Sequence, residues 1–176
     1  MMLTKYRYTD TEIKELLQTI VIIVDTREQA NEHILNYFDS KKVQHISRKL
    51  EYGDYSAYLP RNEKYGIMRN IHFDISIERK NSVDELASTI KERTRFENEL
   101  IRSQKSRFQL VVEDAAGYKK IIYGEYRSKY DAKALLASLK AFEARYNFNT
   151  VFIQKELLGN YIYHEFYYMI REYLKA

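Results

Sequence analysis

Carboxylates stand at Asp54 within Gly53-Asp54-Tyr55, at Glu78 within Glu78-Arg79-Lys80, and at Asp84 shortly after that lysine. Two more, Asp25 and Glu28, lie in Val24-Asp25-Thr26-Arg27-Glu28 at the end of an apolar run. Oxygen donors beside a lysine suit phosphodiester hydrolysis, which needs an activated water, relief of negative charge on the phosphorus oxygens and help for the departing oxygen. Mg²⁺ supplies the first two. It prefers octahedral oxygen coordination at roughly 2.0 to 2.1 Å and keeps several waters, so two carboxylates and a backbone carbonyl suffice to hold it. Asp54 and Glu78 are the candidate ligands. The competing explanation is a set of solvated surface carboxylates. Two carboxylates converging to about 4 Å, however, repel by about 4 kcal/mol at an effective dielectric near 20, which calls for a cation or a proton.

Positioning these groups requires strands. From Ile71 to Lys80 the residues alternate, with Ile71, Phe73, Ile75 and Ile77 on one face and His72, Asp74, Ser76, Glu78 and Lys80 on the other. Glu78 and Lys80 then project together, about 6.6 Å apart along the chain, while Asp74 lies roughly 13 Å from Glu78 and drops out of the site. Arg79 points the other way, which leaves its backbone carbonyl as a ligand and its guanidinium for structure. The β-branched run Ile20 to Val24 reads as a buried strand delivering Asp25 to its end. Ser82-Val83-Asp84-Glu85 fits a capping box, so a helix begins near Val83 with Asp84 in its first turn.

The remaining pattern alternates helices and strands. Helices are expected after Thr9-Asp10-Thr11-Glu12, over 28–40, over 95–103, after Ser128-Lys129-Tyr130-Asp131, and over 156–174. Strands are expected over 43–50, into 55–59, over 108–113 and over 150–153, with 60–70 as an exposed connection. This predicts an α/β sandwich with helices covering a mixed sheet.

At 176 residues the chain suits one packed domain. We divide it into an N-terminal helical extension over 1–19 and a single catalytic domain over 20–176 that includes the C-terminal helix. No apolar stretch reaches membrane-spanning length and the N-terminus carries no secretory h-region, so no membrane partner is expected and an intracellular location follows. There are no cysteines, which leaves any metal to oxygen and imidazole ligands. His33, His45, His72 and His164 lack ligand spacing and read as incidental. The net charge of +4 agrees with a polyanionic partner without demanding one. Basic windows at 91–107 and 119–133 offer Arg93, Arg95, Arg102, Lys105, Lys129 and Lys133 as DNA contacts or simply as solvated faces. Most of the 17 tyrosines read as core or interface rather than base-stacking platforms, with Tyr55 buttressing the site.

Val24-Asp25-Thr26-Arg27-Glu28, Gly53-Asp54-Tyr55 and Glu78-Arg79-Lys80 followed by Asp84 together resemble the nuclease signature of the XPF family of structure-specific endonucleases. That signature is GD, a spacer, ERK, three residues and D, and the resemblance covers about residues 20–154. It implies a restriction-endonuclease-like three-layer sandwich, a central mixed β-sheet flanked by helices. It also implies a Mg²⁺ or Mn²⁺ site at Asp54, Glu78, the Arg79 carbonyl and Asp25, with Glu28 and Asp84 in support and Lys80 as catalytic lysine. Arg95 would lie near the substrate phosphate, with Arg79 and Arg27 as further substrate-side residues and Arg27 bracing the acidic cluster. The implied activity is cleavage of branched or flapped DNA.

Relatives usually append a helix-hairpin-helix module, which this sequence does not contain, so a stand-alone enzyme or one with a separate DNA-binding partner is expected. They also pair as homodimers or heterodimers. Tyr161, Phe166, Tyr167, Met169, Ile170, Tyr173 and Leu174 of the last helix offer apolar surface for this. Two rivals remain open: a catalytically silent DNA-binding scaffold for another nuclease subunit, and a sequence-specific restriction-type enzyme on the same core.

Overall fold

A computed structural model describes residues 7–176. The first six residues of the expected N-terminal extension lie outside the described residues. The chain opens with helix α1 (Asp10–Leu17), fixed at its start by a complete capping box between Thr9 and Glu12. Strand β1 (Val21–Val24) follows, buried along its whole length. Next come α2 (Glu32–Ser40), β2 (Gln44–Ser47), β3 (Tyr55–Leu59), β4 (Ile71–His72) and β5 (Ile75–Lys80). Helices α3 (Val83–Lys91) and α4 (Arg93–Ser103), strand β6 (Arg107–Val112), and helices α5 (Gly117–Tyr123) and α6 (Ala132–Tyr146) lead to β7 (Thr150–Phe152) and α7 (Leu158–Lys175).

The strands form one mixed sheet ordered β2-β1-β3-β5-β6-β7, with β4 paired to β3. β1 runs parallel to β2 and antiparallel to β3, whereas β5, β6 and β7 are mutually parallel. Alternation along β6 divides the core. Val111 joins one apolar layer with Ile13, Leu16, Ile34, Phe38, Phe166 and Ile170 of α1, α2 and α7. Leu110 and Val112 join the other with Leu86, Phe96, Leu100, Ile121, Leu139 and Phe142 of α3 to α6. This is the three-layer α/β sandwich with a mixed sheet that the sequence predicts. Among the described residues no helix is long and apolar enough to cross a membrane.

Local expectations change in five places. The strand read continuously over 71–80 breaks at Phe73-Asp74, where Ile75 N–H turns back to the Phe73 carbonyl, and all of β5 is buried because helices cover both of its faces. The connection over 60–70 is not wholly exposed: it holds a short 3₁₀ turn at Glu63–Tyr65, and Tyr65 and Ile67 are buried. The strand expected over 43–50 shortens to β2, and α5 is an additional helix. Finally, Phe166, Ile170 and Leu174, expected on a pairing surface, are consumed by the chain's own core. The helical spacing was right, but the apolar stripe faces inward against α1 and α2.

Candidate active site

The site is built where β1, β3 and β5 meet. Gly53 adopts φ 72° just before β3, and a Cβ there would lie 1.8 Å from Ser76 Oγ. Only glycine lets the backbone cross β5 this closely. That crossing seats the next residue: Asp54 N–H donates to the Ile77 carbonyl at 2.9 Å, and the Asp54 carbonyl accepts from Asp25 N–H at 2.8 Å. The Asp54 side chain turns to the strand end, where Oδ2 accepts the Arg79 backbone N–H at 2.8 Å.

Pleating then separates the three residues of Glu78-Arg79-Lys80. Lys80 Nζ donates to Glu78 Oε1 at 2.6 Å, with both residues buried. On the opposite face the Arg79 guanidinium grips Glu28 through two hydrogen bonds of 3.0 and 2.9 Å, donates to the Gln29 carbonyl at 2.6 Å and lies 3.1 Å from Glu113. Its side chain is only 4% exposed. Ala30, just past Gln29, sits in the left-handed region at φ 51°, a costly backbone state.

Asp25 and Asp84 stand apart from the cleft. Both Asp25 oxygens are taken, by the N–H and side chain of Arg27 and by Leu50 N–H at 2.6 Å. Burial works against its charge, yet these hydrogen bonds win and hold its pKa below the usual range. Asp84 accepts the backbone N–H groups of Arg127 and Ser128, tying the start of α3 to the loop before α6. The cleft itself is lined by Arg27, Glu28, Gln29, Ala30, Asp54, Glu78, Arg79, Lys80, Asn81, Glu85 and Arg95. A second recess beyond Glu78 and Lys80 adds Ser88, Thr89, Glu92, Phe96 and Glu99. Arg95 borders both, its side chain 87% exposed beside Glu92.

The carboxylates Glu85, Glu92 and Glu99 were not singled out from the sequence. They lie on α3, at the α3–α4 junction and on α4 respectively, so the break at Glu92 between the two helices leaves no shared helical stripe to mark them in the sequence. Glu113 carried no signal either. His33, read as incidental, is hydrogen-bonded to Glu113.

Charge in the cleft is unbalanced. Burial, then the Glu28 charge, pushes Asp54 up to about 7 against the opposing pull of Arg79 N–H. Burial, then Asp54, likewise drives Glu78 well above the ordinary carboxylate range. Burial opposes the Lys80 cation, but Glu78 outweighs it and the pKa rises, so Lys80 is an ammonium. Two crowded carboxylates with hard oxygen donors have the chemistry that a small divalent cation relieves. Among the described residues no group of three or more acidic, histidine or cysteine side chains could hold a metal. Asp54 and Glu78 are the two crowded carboxylates that line the cleft.

Residues 24–165 match the family model of the ERCC4 domain. The fold is similar to XPF from Aeropyrum pernix, with a TM-score of 0.61 and 20% identity over 86% of this chain and 65% of that one. It is also similar to XPF from Aeropyrum pernix in complex with DNA, with a TM-score of 0.59 and 19% identity over 86% of this chain and 65% of that one. The chain thus spans just under two thirds of the length of these structures. No curated protein matches the sequence.

Proposed function

The chain belongs to the ERCC4 domain family, the structure-specific DNA endonuclease family of XPF, and from that membership we infer a Mg²⁺- or Mn²⁺-dependent endodeoxyribonuclease acting on branched or flapped DNA. The observation that carries this reading is the meeting of Asp54, fixed by Arg79 N–H, with the Glu78–Lys80 pair in one open polar cleft. Asp54, Glu78 and the Arg79 carbonyl would hold the cation, which when bound supplies an activated water and relieves phosphate charge.

The protein's own groups do the rest. Lys80, already protonated beside Glu78, offers an ammonium to a phosphorus oxygen or to the attacking water. Arg95, exposed at the rim, is free to swing from Glu92 onto a substrate phosphate. Glu28 positions Arg79, and Asp25 with Arg27 fixes the turn after β1 against Leu50. Asp84 supports the site by anchoring the 125–130 loop. Partner pairing, as a homodimer or with another nuclease subunit, and an intracellular location belong to the same proposal.

The test is a panel of labelled flap, fork, nicked and four-way DNAs with Mg²⁺ or Mn²⁺. The wild type is expected to cut at least one branched substrate. Asp54→Ala and Glu78→Ala are expected to abolish cleavage while keeping the fold and most DNA binding. Cleavage surviving in either variant removes the assignment. A wild type that binds DNA but neither metal is the silent scaffold instead.

A further inference from the structure

Three elements converge on a buried carboxylate that the chemistry above leaves unused. Glu113 follows β6, and its side chain is 3% exposed. Its N–H donates to the Lys80 carbonyl at 2.9 Å, which ties it to the strand carrying Glu78 and Lys80. Its Oε1 is approached from two sides, by His33 Nε2 from α2 and by Arg79 Nη1 at 3.1 Å. Arg79 Nη1 is buried and makes no hydrogen bond, so Glu113 holds that end of the guanidinium by charge alone. The other end is held by Glu28 and the Gln29 carbonyl. Arg79 is therefore braced between two carboxylates, and its own backbone N–H is the donor that fixes Asp54. His33 supplies the hydrogen bond that keeps Glu113 Oε1 in place.

We propose that Glu113, fixed by His33, is a positioning residue for the site. It sets Arg79, whose peptide N–H sets Asp54, and thereby tunes how tightly the Asp54–Glu78 pair holds a divalent cation. The inference rests on the nuclease reading for that cation. A purely structural ion pair would change stability and leave metal affinity in the folded protein untouched.

Calorimetric titration of Mn²⁺ into the full chain separates these outcomes without relying on cleavage. Glu113→Gln keeps the shape and loses the charge. It is expected to weaken Mn²⁺ binding by about 10- to 100-fold, the range found when a group supporting a metal ligand is lost. On a labelled flap kcat is expected to fall while KM for DNA stays unchanged. His33→Leu is expected to give a smaller loss of the same kind, and His33→Gln, which returns a donor to Glu113, to recover most of it. Should Glu113→Gln fail to fold by circular dichroism, the two His33 variants carry the test. Wild-type Mn²⁺ affinity and kcat in folded Glu113→Gln, or in His33→Leu where that variant stands in, overturns the proposal. A wild-type chain that neither binds Mn²⁺ nor cuts the flap removes the nuclease reading, and this inference with it. A competent wild type matched by its variants removes this inference alone.

Discussion

Asp54 is under strong electrostatic tension. The folded chain raises it from an ordinary 3.8 to about 7, mainly by burial and then by the charge of Glu28. Between those two values the unfolded chain ionises while the folded one keeps its proton. Its contribution therefore makes the metal-free protein less stable as pH rises from about 4 to about 7, after which the penalty is fully present. Asp54→Asn should flatten that slope and stabilise the metal-free chain at pH 8 by about 1–3 kcal/mol, a figure kept low because water reaches one edge of the carboxylate. Urea denaturation in chelator at pH 5 and pH 8 checks this; an unchanged slope in the variant would show that the strain lies elsewhere. The same residue shows what the sequence could reveal at this scale. Asp54, Glu78 and Lys80 were legible because a short motif and strand alternation are local properties. Glu113 was not, since its meeting with His33 and Arg79 depends on how α2 packs against the ends of β5 and β6.

At the scale of elements, the crossing of the β3 entry over β5 decides whether the site exists. Gly53→Ala would place a Cβ 1.8 Å from Ser76 Oγ and force a side chain into φ 72°. Its expected cost is about 1–3 kcal/mol or more in thermal or urea unfolding. Adding Ser76→Gly removes the nearest clashing atom and should recover part of the loss; no recovery would mean that backbone strain, not the contact, dominates. Strands and helices with strong periodicity were readable, as in β1, α3 and α6. The break at Phe73-Asp74 was not, because an alternating pattern continues across it and only the turn of Ile75 N–H to Phe73 exposes it. α5 escaped for a different reason. It is short, lacks a side-chain N-cap, and leaves Tyr118, Ile122 and Tyr123 exposed, so no clean amphipathic stripe marks it.

For the whole molecule, the sheet makes two apolar layers interdependent. β6 sends Val111 into the layer of α1, α2 and α7 and Leu110 and Val112 into that of α3 to α6. β5 does the same for the site, turning Arg79 to one layer and Glu78 and Lys80 to the other. Losing either layer would expose the opposite face of strands that the remaining layer needs, so the two should unfold as one cooperative unit. Phe166→Ala in the first layer and Phe96→Ala in the second remove fully buried rings, each worth about 3–5 kcal/mol. Each should lower a single unfolding midpoint. Tyrosine fluorescence, available from 17 tyrosines with no tryptophan to mask it, should track far-UV circular dichroism through that transition. On the proposed metal-dependent reading, Mn²⁺ held by Asp54 and Glu78 should raise the stability of both variants by the same mass-action increment, about 2.7 kcal/mol at a hundred times Kd. Two separated transitions, with Phe96→Ala moving only one and Mn²⁺ only the other, would mean that the layers fold apart and that the site belongs to one of them.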